Sequence, residues 1–371
     1  MTRKINIAII GLGFGAEFIP IYQAHAHANM YAICQRNESH LNEVGDKFGI
    51  DVRYTDYTDL LKDPNVDAVH INTPIASHAP QSILALKAGK HVASTVPMAT
   101  TVEECEEIVR LQKETGLKYM MMETAVYTRE FLFVKQLRDK GELGRIQFLR
   151  AAHHQEMAAG NWPSYWPGFP PMHYSTHCVG PILAMAGKRA EAVCCLGSGR
   201  INDDLAARYG SPFAVETSHI KIKDSDLAAE MSRSLYNTAR EYVESFDVYG
   251  SKASFEWTQV EFEKSVVFHG EEATRVEIPD FGHLLPEEIA PFTTHGVYTT
   301  DESGEQHMSF IQGAGHGGSH PHLANEFLMS IVDDREPMPN APTAANWTCT
   351  GICSHTSAMK GGEWVKVPTF D

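Results

Sequence analysis

The stretch KINIAIIGLGFGAEFIPIYQAH, residues 4–25, restricts the fold more than any other part of this chain. An apolar run reads as a buried strand. Gly11, Gly13 and Ala16 then follow in GxGxxA spacing, and an apolar helix comes after them. Gly11 allows the tight turn, Gly13 leaves room for a pyrophosphate to approach the backbone, and Ala16 permits close helix–strand packing. A glycine pattern alone is weak, but between a strand and a helix it predicts a dinucleotide site.

The alternation of strand and helix continues. MYAICQRN, DAVHINTP, KHVAST and KYMMMET read as strands. ESHLNEVGDKFG, SHAPQSILALKAG and TVEECEEIVRLQKETG read as helices between them. Ser77 is a candidate cap, Gly89 and Gly116 are stops, and Thr101 with Glu104 can form a capping box. The pattern predicts an α/β Rossmann domain, a doubly wound parallel sheet, over residues 1–125. Ligands bind such sheets at strand C-terminal ends, so Thr73, Pro74, Thr95, Val96, Pro97 and Glu123 are candidates. With the loop residues Gly11, Gly13, Phe14, Gly15 and Ala16, with His78, and with Gln35 and Arg36 at the end of the second strand, they make the expected cofactor set. No acid stands where NAD-selective folds usually hold the ribose, which leaves NADP open, but Arg36 is the one basic residue there, so the expected cofactor is NAD, with tight binding allowed for.

Residues 126–371 read differently. Long strand-like runs dominate, among them GRIQFLRAAHH, and predict an α+β domain with a large, mostly antiparallel open sheet. MHYSTHCVGP places His173 and His177 four apart, on one face if the segment is helical throughout. An imidazole titrates near neutral pH and suits proton transfer, so both are candidate catalytic residues. The proline-rich loop GNWPSYWPGFPP offers Trp162 and Trp166, and Tyr174 follows it, as aromatic faces for packing or for stacking on a substrate. His154, Glu156 and His320 complete the candidate substrate residues. The histidines lack HExxH spacing and the cysteines form no pair suited to zinc, so no metal is expected.

A formal charge of −16 with no basic block argues against nucleic acid and anionic membranes as partners. No apolar run approaches the roughly 18 residues of a membrane span. Seven cysteines, odd in number and irregularly spaced, suggest reduced thiols in a cytoplasmic protein.

Taken together, IGLGFGA, DAVHINTPIASHAP, ALKAGKHV leading to Pro97, KGELGRI, His177, NEFLMSIVDDREP and GGEWVKVP resemble the Gfo/Idh/MocA family, named for glucose–fructose oxidoreductase and inositol dehydrogenase. The resemblance runs the length of the chain. It implies a Rossmann domain, a substrate domain with an open sheet, a nicotinamide cofactor, homo-oligomers formed through that sheet, and hydride transfer on sugars or other polyols. The subtype it suggests is the gut-bacterial glycoside 3-dehydrogenases that begin C-glycoside (puerarin-type) deglycosylation.

Two departures from the family pattern bear on chemistry. The family's Glu-Lys-Pro is Thr95-Val96-Pro97 here, and valine can neither hold nor transfer a proton. The family's Asp, His and Asp are His173, His177 and Gly180, so only His177 matches. The expected activity is NAD(P)-dependent oxidation of a sugar or glycoside hydroxyl, the C3 hydroxyl of a glucoside above all, with His177 as base in place of the lysine and His173 as its partner or substitute. An NAD-dependent glycosidase working through transient C3 oxidation and elimination, and a non-catalytic NAD(P)H sensor, are the alternatives.

Overall fold

The computed structural model describes residues 3–157, 169–240, 242–260, 263–294 and 316–370. Strands β1 (Ile5–Ile10), β2 (Ala28–Cys34), β3 (Val52–Tyr54), β4 (Ala68–Ile71), β5 (His91–Ser94) and β6 (Tyr119–Met121) form one sheet in the order β3-β2-β1-β4-β5-β6. Every pairing in it is parallel. This is the doubly wound arrangement that the alternation predicts, and the order reverses beside β1, where such sheets bind ligands. Strands β1 and β4 are almost wholly buried, as a sheet covered by helices on both faces requires.

The helices between these strands carry their own start and stop chemistry. Asn37 accepts the His40 N–H at the start of helix Glu38–Phe48, and Gly49 ends it in the left-handed conformation. Thr101 and Glu104 form the expected capping box on helix Val102–Thr115, and Gly116 ends it likewise. Ser77 does not cap: its side chain makes no capping hydrogen bond, because Ile75–Ser77 already turns as a 3-10 helix ahead of helix His78–Lys87.

Among the described residues the second sheet has nine strands. Numbered in chain order they are β7 (Ile146–Gln155), β8 (Ala190–Arg200), β9 (Phe213–Ile222), β10 (Ala228–Ser234), β11 (Tyr242–Gly250), β12 (Ser254–Glu256), β13 (Val266–His269), β14 (Glu272–Arg275) and β15 (Val365–Lys366). Their order is β14-β13-β12-β11-β7-β10-β9-β8-β15, antiparallel except for β7 with β10. Burial alternates along β7 and β9, so one face is covered and the other is open.

The chain does not divide once at 125/126 as expected. One compact unit comprises Met1–Thr124, Asp280–Ala345 and Phe370, and the other comprises Ala125–Pro279, Asn346–Thr369 and Asp371. The stretch 280–345 joins the parallel-sheet unit because its helix Ser319–Val332 and the turn after it pack there. His25 bonds Asn325 at 3.1 Å, Lys118 pairs with Asp334 at 2.9 Å, and Met120 bridges Asn340. All seven cysteines are free. Among the described residues no helix is long and apolar enough to cross a membrane.

Candidate functional site

In the parallel-sheet unit the glycine loop is shaped as a cradle. Gly11 has φ +84°, and a Cβ there would run into the carbonyl of Asn72 at the end of β4. A Cβ on Gly15 would sit 2.8 Å from Ile9 and 3.0 Å from Asn72. Gly13 is the opposite case: it is exposed, and nothing lies within 4 Å of where its Cβ would stand. The loop is thus held tightly from below and left open at the residue where a pyrophosphate needs backbone approach, so these residues fit a dinucleotide.

The strand ends complete the cradle. Gln35 is half-buried, its backbone N–H bonds Tyr54 O at 3.1 Å, and its side chain accepts the Arg36 N–H at 3.2 Å. Arg36 is exposed. Thr73 donates to Gln81 at 2.6 Å, and Thr95 donates to Ile71 O at 3.0 Å. His78 is buried between the carbonyls of Pro97, at 2.9 Å, and Thr73, at 2.7 Å. Burial lowers its pKa, and a neutral ring donates to only one of these carbonyls, the Thr95 hydroxyl lying 3.1 Å from its Nε2. Val96 and Glu123 are buried in the same unit.

Behind the loop lies a polar chain of which the sequence reading named only His320 as a candidate. Glu17 Oε2 stands 3.3 Å from His320 Nδ1, and His320 Nε2 stands 3.2 Å from His316 Nδ1. Phe14 and Phe18 pack against the His320 ring. Burial raises the Glu17 pKa from 4.5 to about 8 and drives His320 well below its ordinary value, so the pair is neutral. His320, expected to meet substrate, is fully buried in this unit.

The open-sheet unit holds the catalytic candidates. His177 lies in the first turn of helix Thr176–Ala186, buried. Its Nε2 is 3.2 Å from the Tyr174 hydroxyl, and its Nδ1 is 3.6 Å from Glu244 Oε1. His153 Nε2 faces the same oxygen at 3.8 Å. Tyr242 donates to it at 2.5 Å, and burial beside that carboxylate raises the tyrosine's pKa well above its ordinary value. His153 and Glu244 are direct cross-strand partners on β7 and β11. Arg233, fully buried, fixes the backbone around them. It donates to Tyr174 O at 2.7 Å, His153 O at 2.9 Å and Gln155 Oε1 at 2.6 Å, and burial lowers its pKa to about 10. His177 and Glu244 form part of the wall of a cleft with Thr128, Pro181, Phe246 and Trp257.

Several expectations change here. His173 does not share a helix face with His177, because it lies in the preceding 3-10 turn Pro171–Tyr174 and Ser175 breaks the run. It packs on His355, which bonds Glu216 at 2.6 Å, and burial with that neighbour lowers its pKa to about 4. His154 is turned away as well. Strand alternation sends it to the open face, against Ser234 at 2.9 Å and Ser232 at 3.2 Å, and puts His153 beside His177. Glu156 accepts the Thr238 backbone N–H at 2.7 Å. Trp162 and Trp166 lie outside the described residues. The sequence reading missed Glu244, although a carboxylate between Tyr242 and Phe246, on the inward positions of a strand, is the signature of a functional acid.

Residues 5–123 match the model of the oxidoreductase family with an NAD-binding Rossmann fold, Gfo/Idh/MocA. A protein of Shewanella baltica strain OS155 called glycosyl hydrolase family 109 protein is 28% identical over 262 residues, 63% of this chain and 57% of its own length. The match thus spans little more than half of that relative. An NAD-binding oxidoreductase of Klebsiella pneumoniae superposes with a TM-score of 0.78 at 17% identity, covering 99% of this chain and all of its own. Levoglucosan dehydrogenase in complex with NADH and L-sorbose gives 0.78 at 20% identity with the same coverage. Those two likenesses show the fold, and the family match shows the cofactor class. Residues 5–123, about a third of the chain, thus match the Gfo/Idh/MocA oxidoreductases and their NAD-binding Rossmann fold.

Proposed function

We propose that the chain is an NAD-dependent oxidoreductase acting on a hydroxyl of a sugar or glycoside, the C3 hydroxyl of a glucoside being the specific choice. Bound NAD supplies the hydride acceptor. The observation that carries the reading is His177, buried on a cleft wall and flanked by the Tyr174 hydroxyl and Glu244. Val96 is apolar where the resemblance implies a lysine, so the hydroxyl proton must be handled elsewhere. His177 with Glu244 behind it is a centre that can do so: the Tyr174 hydroxyl passes its proton to His177 Nε2, 3.2 Å away, and takes one from the substrate, while the carboxylate stabilises the positive charge left on the ring. Arg233 holds the Tyr174 and His153 carbonyls in place and so keeps the cluster in register. With these side chains closed around it, the centre excludes bulk water from the ionising hydroxyl. The open face of the nine-stranded sheet, with Leu196 and Trp364 exposed beside it, is the surface through which we expect copies of the chain to associate.

The test is product mass. The native protein is incubated with simple glucosides and NAD+, and the sugar is followed by mass spectrometry. Loss of two mass units supports the reading, and an unchanged sugar across the panel sinks it. In the same assay His177→Asn should lower turnover by about 100-fold or more while leaving NAD binding intact, within the usual weight of a group that handles the proton.

The Shewanella relatives favour a second reading, an NAD-dependent glycosidase in which C3 oxidation is transient and the aglycone is eliminated. Free sugar plus aglycone, with no accumulated ketone, would decide for it.

A further inference from the structure

The geometry points to a divalent-cation site formed by His153, His177 and Glu244, at which the cation presents the substrate hydroxyl. The proposal rests on the oxidoreductase reading for what the site does, but not for whether the site exists. Three observations carry it. The ligand atoms, one from each residue, all lie within 4.8 Å of one another, and all three residues are buried. They come from three different elements, β7, the first turn of helix Thr176–Ala186 and β11, so their convergence is not a by-product of local spacing. Finally, the two histidines face one carboxylate oxygen at 3.6 and 3.8 Å. Those separations are too long for hydrogen bonds. Ligands about 2.1 Å from a shared tetrahedral ion stand about 3.4 Å apart, so a small inward rotation of the rings closes the site.

The donor set states the chemistry. Two imidazoles and one carboxylate suit zinc, iron(II) or manganese(II), and three protein ligands leave coordination positions open. The surroundings match what such sites use. Tyr242 donates to the Glu244 oxygen at 2.5 Å, and the Tyr174 hydroxyl lies 3.2 Å from the His177 nitrogen that would not bind the ion. Of the three residues, His177 and Glu244 also line the small cleft beside the site. With a cation held, His177 keeps its place in the reaction as a ligand. The cation then takes over the acidification of the hydroxyl that the bare imidazole would otherwise manage.

The experiment uses the full chain, stripped with a chelator and titrated with Zn2+ by calorimetry and with Co2+ by visible absorption. One Zn2+ per chain is expected, and a Co2+ spectrum without the sulfur charge-transfer band that a thiolate would give. His153→Asn and Glu244→Gln should each weaken binding by about 100-fold while NAD binding, a property of the other unit, stays unchanged. Absence of stoichiometric binding, or binding unaltered in both variants, overturns the site. Stripped protein that oxidises a glucoside as fast as the loaded protein overturns the cation's role and leaves the oxidoreductase reading standing. Cation binding lost in both variants, with no sugar oxidised by the loaded wild type, supports the site and fails the oxidoreductase reading instead.

Discussion

The three loop glycines make different demands on their positions. Gly11 combines a left-handed φ with a Cβ position occupied by Asn72 O. Gly11→Ala should therefore cost about 2 kcal/mol or more of stability, read as a fall in the urea midpoint. Gly13 has open space, so Gly13→Ala should leave that midpoint nearly unchanged and weaken NAD binding by about tenfold, read by calorimetry. Sequence spacing alone identifies both glycines but cannot tell these reasons apart, because what Gly11 approaches comes from β4, some 60 residues on. Glu17 makes a pH prediction. Its folded pKa, about 8, is above its unfolded value near 4.5. Between those values the native state keeps a proton that the unfolded state gives up. The stability is fully present below about pH 4.5 and is lost as the pH rises toward 8. Glu17→Gln should flatten that decline, measured as urea midpoints between pH 5 and 8.5.

The same contrast holds for whole elements. Five strands of the parallel sheet were legible because they are apolar runs punctuated by caps and glycines, whereas β3 and the helix Tyr57–Lys62 after it were not read, since three half-buried residues with an arginine among them make no apolar run. The helix Asp203–Tyr209 was not read, although Asn202 caps it and Gly210 ends it, because seven residues are too few to show a period. His153 and His154 are the instructive pair. Only the face of β7 separates them, and which face is inward depends on its pairing with β10 and β11. Glu244 was hidden for the same reason. The turn Pro171–Tyr174 that delivers His177 is pressed on from behind by Gly351, whose missing side chain makes room for Met172 O. Gly351→Ala should push on this turn. We expect a loss of about 1–3 kcal/mol in stability together with a fall in turnover larger than that loss explains, since the turn carries Tyr174 and leads straight into His177. Comparing denaturation midpoints with turnover at a temperature where the variant is fully folded separates the two effects.

For the molecule as a whole, the two units hold different things: a dinucleotide cradle in one and an imidazole–carboxylate centre in the other. The chain passes between them after residues 124, 279 and 345. The strand–helix alternation located the first passage, but nothing local marks the return at 280. The contacts that draw 280–345 back, such as His320 with Glu17 and Asp334 with Lys118, pair residues about 200 to 300 positions apart. A fragment of residues 1–125 should therefore show helix by circular dichroism but unfold well below the full chain and bind NAD at least about tenfold more weakly, since it exposes the apolar surface that helix Ser319–Val332 covers. This division also bears on synthesis. A chain leaving the ribosome can pair β1 to β6 early, yet the unit they belong to is finished only after residue 345 has emerged, by which time nearly all of the other sheet is already available. Domain-by-domain folding in order of translation is closed to this protein, and its cradle must wait, half built, for a helix made about 200 residues later.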